Sequence, residues 1–274
     1  MVEIGVIIAT SFDRIDLLLN RSLKSVLDQT IQPNCIVIVD DNEDDIYLSN
    51  CRLVEGLSIP NLHYLRNIKS KGMSGTGAWN TGIEFLKNNL GLDNYLAILD
   101  DDDFWENTYL QDSYDIIKNQ FPKAIFSYLK RGDCKYPHKF NLSELNLNNF
   151  LIGNPGIQGS NMIFKLSSID EINGFDENLR SCTDRDLMIR FLQTHGRDKI
   201  RINQKVLVQH FVGHKTVTSN LMAKQEGLDF FYKKHFKLFN QEMLKSSLER
   251  SKKLFKYNKS DEVIELYKNY MVNG

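Results

Sequence analysis

Four consecutive aspartates, Asp100 to Asp103, follow the apolar run Tyr95 to Leu99. Adjacent carboxylates repel one another, so such a run costs stability unless a cation or a hydrogen-bond network compensates it. Hard divalent cations take oxygen ligands, and Mg2+ usually uses one or two protein carboxylates while phosphate oxygens and water fill its other positions. The run therefore reads either as a metal and phosphate site or as a solvated acidic turn capping a helix that begins near Glu106, because Asp favours helix N-termini. Position alone does not choose between them. A calcium loop of EF-hand type is excluded, since its spaced ligands and central glycine are missing. A second carboxylate, Asp184, stands just ahead of the helical apolar pattern Leu187, Met188, Phe191 and Leu192, as a general base or as a first-turn capping charge. His210 and His214 frame QHFVGH, but β-branched surroundings, Gly213 and the lack of Glu after the first His argue against a helical zinc pair. The stretch KGMSGTG fits neither GxxxxGK[ST] nor a GxGxxG turn, which excludes nucleotide hydrolysis and dinucleotide binding.

Short β-branched runs alternating with segments of helical period predict α/β units on a mainly parallel sheet flanked by helices. The expected strands are Gly5 to Ala9, Cys35 to Val39, Leu62 to Arg66, Tyr95 to Leu99, Ala124 to Leu129, Gln158 to Phe164 and Val206 to Phe211. Ile15, Leu18, Leu19, Leu23, Val26 and Leu27 share one helical face, and so do Trp79, Ile83, Leu86 and Leu90. Asp40 to Asp45 reads as an acidic loop, residues 131–152 as a loop with helical pieces, and Ile169 to Asn173 as a short helix. In an open parallel sheet ligands bind beyond the carboxyl ends of the strands, where the loops after the second and fourth strands are both acidic.

The 274 residues suit one large α/β domain with a tail; we expect a domain over 1–218 and a helical extension over 219–274 that packs on it or extends from it. That extension is basic, with Lys233, Lys234, Lys237, Lys245, Arg250, Lys252, Lys253 and Lys256. Such helices gain affinity for anionic membranes or lipid-linked substrates, or else present a solvated face. A net charge of -1 gives no global attraction to nucleic acid, and no nucleic-acid partner is expected. Cys35, Cys51, Cys134 and Cys182 lack CxxC spacing, and no apolar run reaches the ~18 residues of a membrane span. The expectation is a reduced cytoplasmic protein, peripheral at the inner face of a membrane if the tail touches one.

Five segments, in order, resemble the family 2 inverting glycosyltransferases of GT-A (Rossmann-like) fold. VIIATSFDR is similar to the family's first strand and loop, and IVIVDDNEDD to its second strand with paired aspartates. RNIKSKGMSGTGAWNTGI resembles its Gly-rich segment, YLAILDDDDFW its strand with the DxD signature, and GFDENLRSCTDRDLMIRF its acceptor-side motif. The resemblance implies that Thr10 and Asp41 contact the base of a nucleotide-sugar donor, UDP foremost, with Arg66 and Asn80 flanking the nucleotide. It implies Asp100 and Asp102 as the ends of DxD, Asp101 beside them at the donor, Asp102 as the direct ligand of Mn2+ or Mg2+, and Asp184 as the catalytic base. Asp103 orients the site, and His214, or alternatively His210, approaches the metal or diphosphate. Thr183 and Trp79 depart from the pattern, standing where the family often has Glu and Arg.

The implied chemistry is transfer of a sugar from a nucleoside diphosphate to a hydroxyl of a saccharide or lipid-linked saccharide, in synthesis of bacterial surface polysaccharide or glycoconjugate. Asp184 would take the hydroxyl proton while attack opposite the diphosphate inverts the anomeric centre. A nucleotidyltransferase would want a glycine-rich basic loop after the first strand, where ATSFDR has no glycine. A noncatalytic nucleotide-sugar-binding protein of the same fold is the other alternative.

Overall fold

The computed structural model describes residues 2–71, 74–212 and 220–273. Strand β1 (Ile4–Thr10) leads into Ile15–Leu17 (α1), a π-helical segment Leu18–Leu23 and Lys24–Leu27 (α2), which run on as one continuous helix. Next come β2 (Cys35–Asp40), α3 (Asp44–Glu55), β3 (Leu62–Arg66), α4 (Thr76–Leu90), β4 (Tyr95–Asp100), β5 (Phe104–Trp105) and α5 (Tyr109–Gln120). The second half contains β6 (Ala124–Arg131), α6 (Leu147–Ile152), β7 (Met162–Lys165), α7 (Leu166–Asp170), α8 (Thr183–His195) and β8 (Ile200–His210). Three helices end the chain: α9 (Leu221–His235), α10 (Gln241–Phe255) and α11 (Ser260–Asn273).

The eight strands form one sheet in the order β3-β2-β1-β4-β7-β6-β8-β5. β1 to β4 pair in parallel, β7 runs antiparallel to both β4 and β6, and β8 is parallel to β6. Because successive side chains of a strand face opposite sides, a sheet covered on both faces needs continuously apolar strands. In β1, Ile7 joins the core beneath α4 and α8, while Val6 and Ile8 join the one beneath α1, α2 and α5. Glycine permits close approach at Gly82, where an added Cβ would come within 2.6 Å of Ile7.

The predicted strands lie where β1 to β4, β6 and β8 are found, with ends shifted by a few residues. Three local expectations are corrected. The expected strand from Gln158 is interrupted: Gln158 and Asn161 close a capping box around the 3-10 turn Gly159–Asn161, which leaves only Met162–Lys165 to pair. The short helix occupies Leu166–Asp170 rather than Ile169 to Asn173, because Asn173 and Gly174 both have positive φ and cannot continue it. The acidic loop after β2 is cut short at Asp44, where α3 begins with Asp44 and Asp45 in its first turn. Carboxylates there favour the positive end of the helix.

Helices α9 and α10 are basic on their exposed sides yet share the core of the sheet, burying Leu228, Phe231, Tyr232, Leu244 and Leu248. Full burial of each such side chain is worth roughly 1.5–3 kcal/mol. Asn220 and Asn240 cap them, accepting bonds from the amides of Ala223 and Met243. The expected join at 218/219 lies outside the described residues. No helix among the described residues is long and apolar enough to cross a membrane.

Candidate active site

Parallel alignment of β1, β2 and β4 puts Thr10, Asp40 and Asp100 at one edge of the sheet, since Thr10 pairs with Asp40 and Ala9 with Asp100. The acidic run turns inward from that edge. Asp101 and Asp103 are fully buried and Asp102 is 7% exposed, so the run is not a solvated turn. Nor does it cap a helix, because α5 starts only at Tyr109, after β5.

The four carboxylates have unequal partners. Asp101 accepts from the Thr10 hydroxyl (2.8 Å) and the Ser11 amide (3.3 Å), and pairs with the Arg14 guanidinium at 2.8 Å. Burial still pushes it up to about 7 against the pull of Arg14. Asp102 takes the other arm of Arg14 at 2.6 Å, and its carbonyl accepts from Arg21 Nε, whose guanidinium lies over the rings of Phe104 and Phe211. Burial also raises the Asp102 carboxyl, with Arg14 opposing. Asp103 accepts from Ser160 Oγ (2.5 Å) and the Phe211 amide (2.7 Å), and pairs with His210 Nδ1 at 3.0 Å. Burial opposes a charge on His210, but Asp103 outweighs it and raises the imidazole pKa.

Asp100 stands apart from these three. Its amide donates to Ser160 Oγ at 3.1 Å, while no hydrogen bond or ion pair among the described residues reaches its carboxylate oxygens. Burial, then the charges of Asp103, Asp102, Asp101 and Asp184, hold its carboxyl well above the ordinary range. Gly159 keeps the space in front of it, since an added Cβ would sit 3.2 Å from both Asp100 Oδ1 and Trp79. A divalent cation fits this donor set: hard oxygens, one of them unpaired, at a place where negative charge is in excess. Among the described residues no three His, Cys, Asp or Glu side chains converge as a complete ligand set, so a cation here would draw further ligands from phosphate or water.

Arg14 is a site residue that the sequence reading did not single out. It emerges from a turn in which Phe12 and Asp13 both have positive φ, a conformation costly for a bulky residue and typical of functional loops.

Asp184 lies in the first turn of α8, preceded by Cys182 at φ 62, another strained position. Its Oδ1 is buried without a hydrogen-bond partner. Burial raises the carboxyl to about 7, with Lys224 and His210 pulling it down. It lines a cavity of about 130 Å³ together with Gly153, Asn154, Lys224 and Arg250. A larger surface hollow along α3, lined by Asp45, Leu48, Ser49, Arg52 and Leu53, includes none of these carboxylates.

The structure thus brings Thr10, Asp100, Asp101, Asp102 and Asp184 into one electrostatically linked group. Asp41 adjoins it, its amide donating to the Thr10 carbonyl and its side chain accepting from Asn67. Arg66 and Asn80 are engaged elsewhere. Arg66 binds the Asn42 carbonyl and Asp44 and lies over the Tyr47 ring. Asn80 clasps Phe175 through its backbone N–H and C=O, and donates to Glu177. His214 lies outside the described residues.

The sequence model of Glycosyl transferase family 2 matches residues 6–172, more than half of the chain. Among solved structures, S. aureus TarS 1-349 in complex with UDP-GlcNAc is similar with a TM-score of 0.63 at 14% identity, over 94% of this chain and 74% of that one. The mannosyltransferase PcManGT from Pyrobaculum calidifontis, in complex with GDP-Man and Mn2+, is similar with a TM-score of 0.61 at 15% identity, over 90% of this chain and 68% of that one. A further structure of S. aureus TarS is similar with a TM-score of 0.60 at 16% identity; 85% of this chain is covered, and it spans 43% of that chain's length. At these identities the likeness carries the fold. No curated protein sequence matches the chain.

Proposed function

The chain belongs to glycosyl transferase family 2 and has the GT-A fold, and from that premise we propose that it is an inverting glycosyltransferase using a nucleotide-sugar donor, with Asp184 as its catalytic base. The observation that carries the reading is Asp184 itself. A carboxylate with a buried oxygen unpaired among the described residues and a pKa raised to about 7, close enough to Asp100 for the two charges to repel, is poised to accept a proton at neutral pH.

The donor's nucleoside diphosphate would sit at the sheet edge beside Thr10, Asp41 and Asp100. Asp100 and Asp102 are the residues to hold Mn2+ or Mg2+, which when bound would offset the charge gathering on the diphosphate leaving group. Asp101 and Asp103 hold the loop in place, one against Thr10 and Arg14, the other against Ser160 and His210. Asp184 takes the proton of the acceptor hydroxyl at its carboxylate. The oxygen then forms its bond to the anomeric carbon from the side opposite the breaking bond, which inverts that centre. No second carboxylate is needed as a nucleophile.

UDP-GlcNAc and GDP-mannose, the ligands of the similar structures, are the first donors to screen by thermal stabilisation of the full chain with Mn2+. A saturable rise in Tm with one nucleotide sugar is expected. No rise with any nucleotide sugar would overturn the reading. Exposed Lys245, Lys252 and Lys253 on α10 support peripheral contact with an anionic membrane and a lipid-linked acceptor, and so a cytoplasmic membrane-face location. Co-sedimentation with anionic but not neutral liposomes checks this.

A further inference from the structure

The cavity beside Asp184 is built from elements that the sheet-edge chemistry does not require. It lies between Gly153 and Asn154 at the end of α6, Asp184 and Arg185 at the start of α8, Lys224 of α9 and Arg250 of α10. Three cations thus face one carboxylate. Arg185 spends its donors on the carbonyls of Phe150 and Leu151 and lies 4.1 Å from the Phe231 ring centre. Those carbonyls satisfy its N–H groups without cancelling its charge. Lys224 makes no ion pair among the described residues; its ammonium stands 5.8 Å from the centre of the Phe255 ring. Arg250 lies across Gly153 and has no carboxylate partner among the described residues, and a Cβ on Gly153 would come within 2.8 Å of its Nε. The acidic neighbours on α9 are committed elsewhere, Glu226 to Arg180 and Asp229 to Tyr257 and Lys259.

Three cations around a single carboxylate leave positive charge in excess, and the repulsion among them is offset when an anion binds. No residue of the acidic run lines the cavity, so it is separate from the ground where the donor diphosphate is expected. At about 130 Å³ it is well below the ~300–1,000 Å³ typical of whole-ligand pockets, and therefore suits one charged substituent of a larger molecule.

We propose that Lys224 and Arg250 form an anion subsite for the acceptor, so that the acceptor saccharide carries a phosphate or carboxylate close to the hydroxyl that Asp184 deprotonates. This rests on the reading of Asp184 as the base. Placing the subsite on the C-terminal helices gives those helices a role in acceptor choice beyond packing.

The test measures affinities of glucose 6-phosphate, glucuronate and glucose for the full chain by saturation-transfer NMR, with UDP plus Mn2+ titrated separately. At least one anionic probe should bind about tenfold or more tighter than glucose, and Lys224→Gln and Arg250→Gln should each erase most of that preference while leaving UDP affinity unchanged. Preference for glucose 6-phosphate alone identifies a phosphoryl-bearing acceptor, and for glucuronate alone a carboxylate-bearing one. Equal binding of glucose, survival of the preference in both variants, or displacement of the anion by UDP would each overturn the proposal. Arg250 is exposed, so its variant leaves the core intact and keeps the test decisive even if the Lys224 variant unfolds. Failure of UDP and of every donor nucleotide to bind would instead count against the glycosyltransferase reading.

Discussion

Asp184 and Asp186 are two residues apart in the first turn of one helix, yet they occupy opposite electrostatic worlds. Asp184 faces the cavity with an unpaired oxygen, and burial lifts it to about 7. Asp186 is fully buried, but His235 (2.8 Å) and Lys234 (2.6 Å) of α9 and Arg190 (2.8 Å) of its own helix surround it. Burial raises its carboxyl too; the bonds from His235, Arg190 and Lys234 win and bring it to about 2. Desolvation is common to both, so what separates a reactive carboxylate from a structural one is the supply of donors. Asp186 fastens α9, the helix that carries Lys224, to the start of α8.

The largest expected effect tests the reactive half of this pair. Asp184→Asn should lower transfer by about 10²–10⁴-fold with donor binding retained, as measured by initial rates and thermal shift. In the wild type, transfer should rise with pH through about 7, because only the ionised carboxylate accepts a proton. The stability sign is opposite. A carboxyl whose folded pKa lies above its ordinary value is penalised progressively as pH rises toward 7, so the Asn variant should melt higher than wild type above pH 7. Equal melting temperatures across pH 5 to 9 would show that Asp184 is not desolvated as described.

The structural half should behave in reverse. Asp186→Ala leaves Arg190 without its counter-charge and His235 without its hydrogen-bond partner, while Lys234 keeps Asp176, and should cost about 3–5 kcal/mol in urea unfolding. Because the folded pKa of Asp186 is depressed, its stabilisation is present above the ordinary carboxylate range and lost as pH falls from about 4 toward 2. The variant should therefore lose the wild type's steep acid dependence there. A marginal change in urea midpoint would break the contrast between the two carboxylates.

Within the acidic run the same logic separates neighbouring carboxylates. Asp102→Ala should abolish metal-dependent transfer, whereas Asp101→Ala should mainly loosen the Thr10 and Arg14 contacts and reduce transfer less. Equal, small effects on transfer at both positions would sink the assignment.

How far these roles were legible in the sequence depended on whether their causes were local. The parallel strands were, because β-branched runs such as Ile36 to Val39 need only their own composition to declare a strand buried on both faces. The acidic run was legible as an anomaly but not as four different environments: Asp103 is defined by Ser160 and His210, and Asp102 by Arg14, all far away in sequence. Asn80 looked like a nucleotide contact from its neighbours in the chain, whereas its side chain is spent on Phe175 and Glu177. The basic tail read as a solvated or membrane-facing surface, and nothing in its helical period marked Lys224 and Arg250 as lining a cavity with Asp184.

The smallest expected effect concerns Thr10, which the resemblance implies as a base contact and whose hydroxyl donates to Asp101 at 2.8 Å. Thr10→Val keeps the shape of the side chain and removes that donor, leaving Asp101 with Arg14 and the Ser11 amide. A single hydrogen bond to a buried charged group contributes about 1.5–3 kcal/mol, and the surviving partners should hold the loss near the lower figure. If the hydroxyl serves only Asp101, the cost appears in urea unfolding and donor affinity stays within about twofold. A drop in donor affinity with unchanged stability would mean that Thr10 turns to the nucleotide when donor binds, and that Arg14 and the Ser11 amide suffice to hold Asp101.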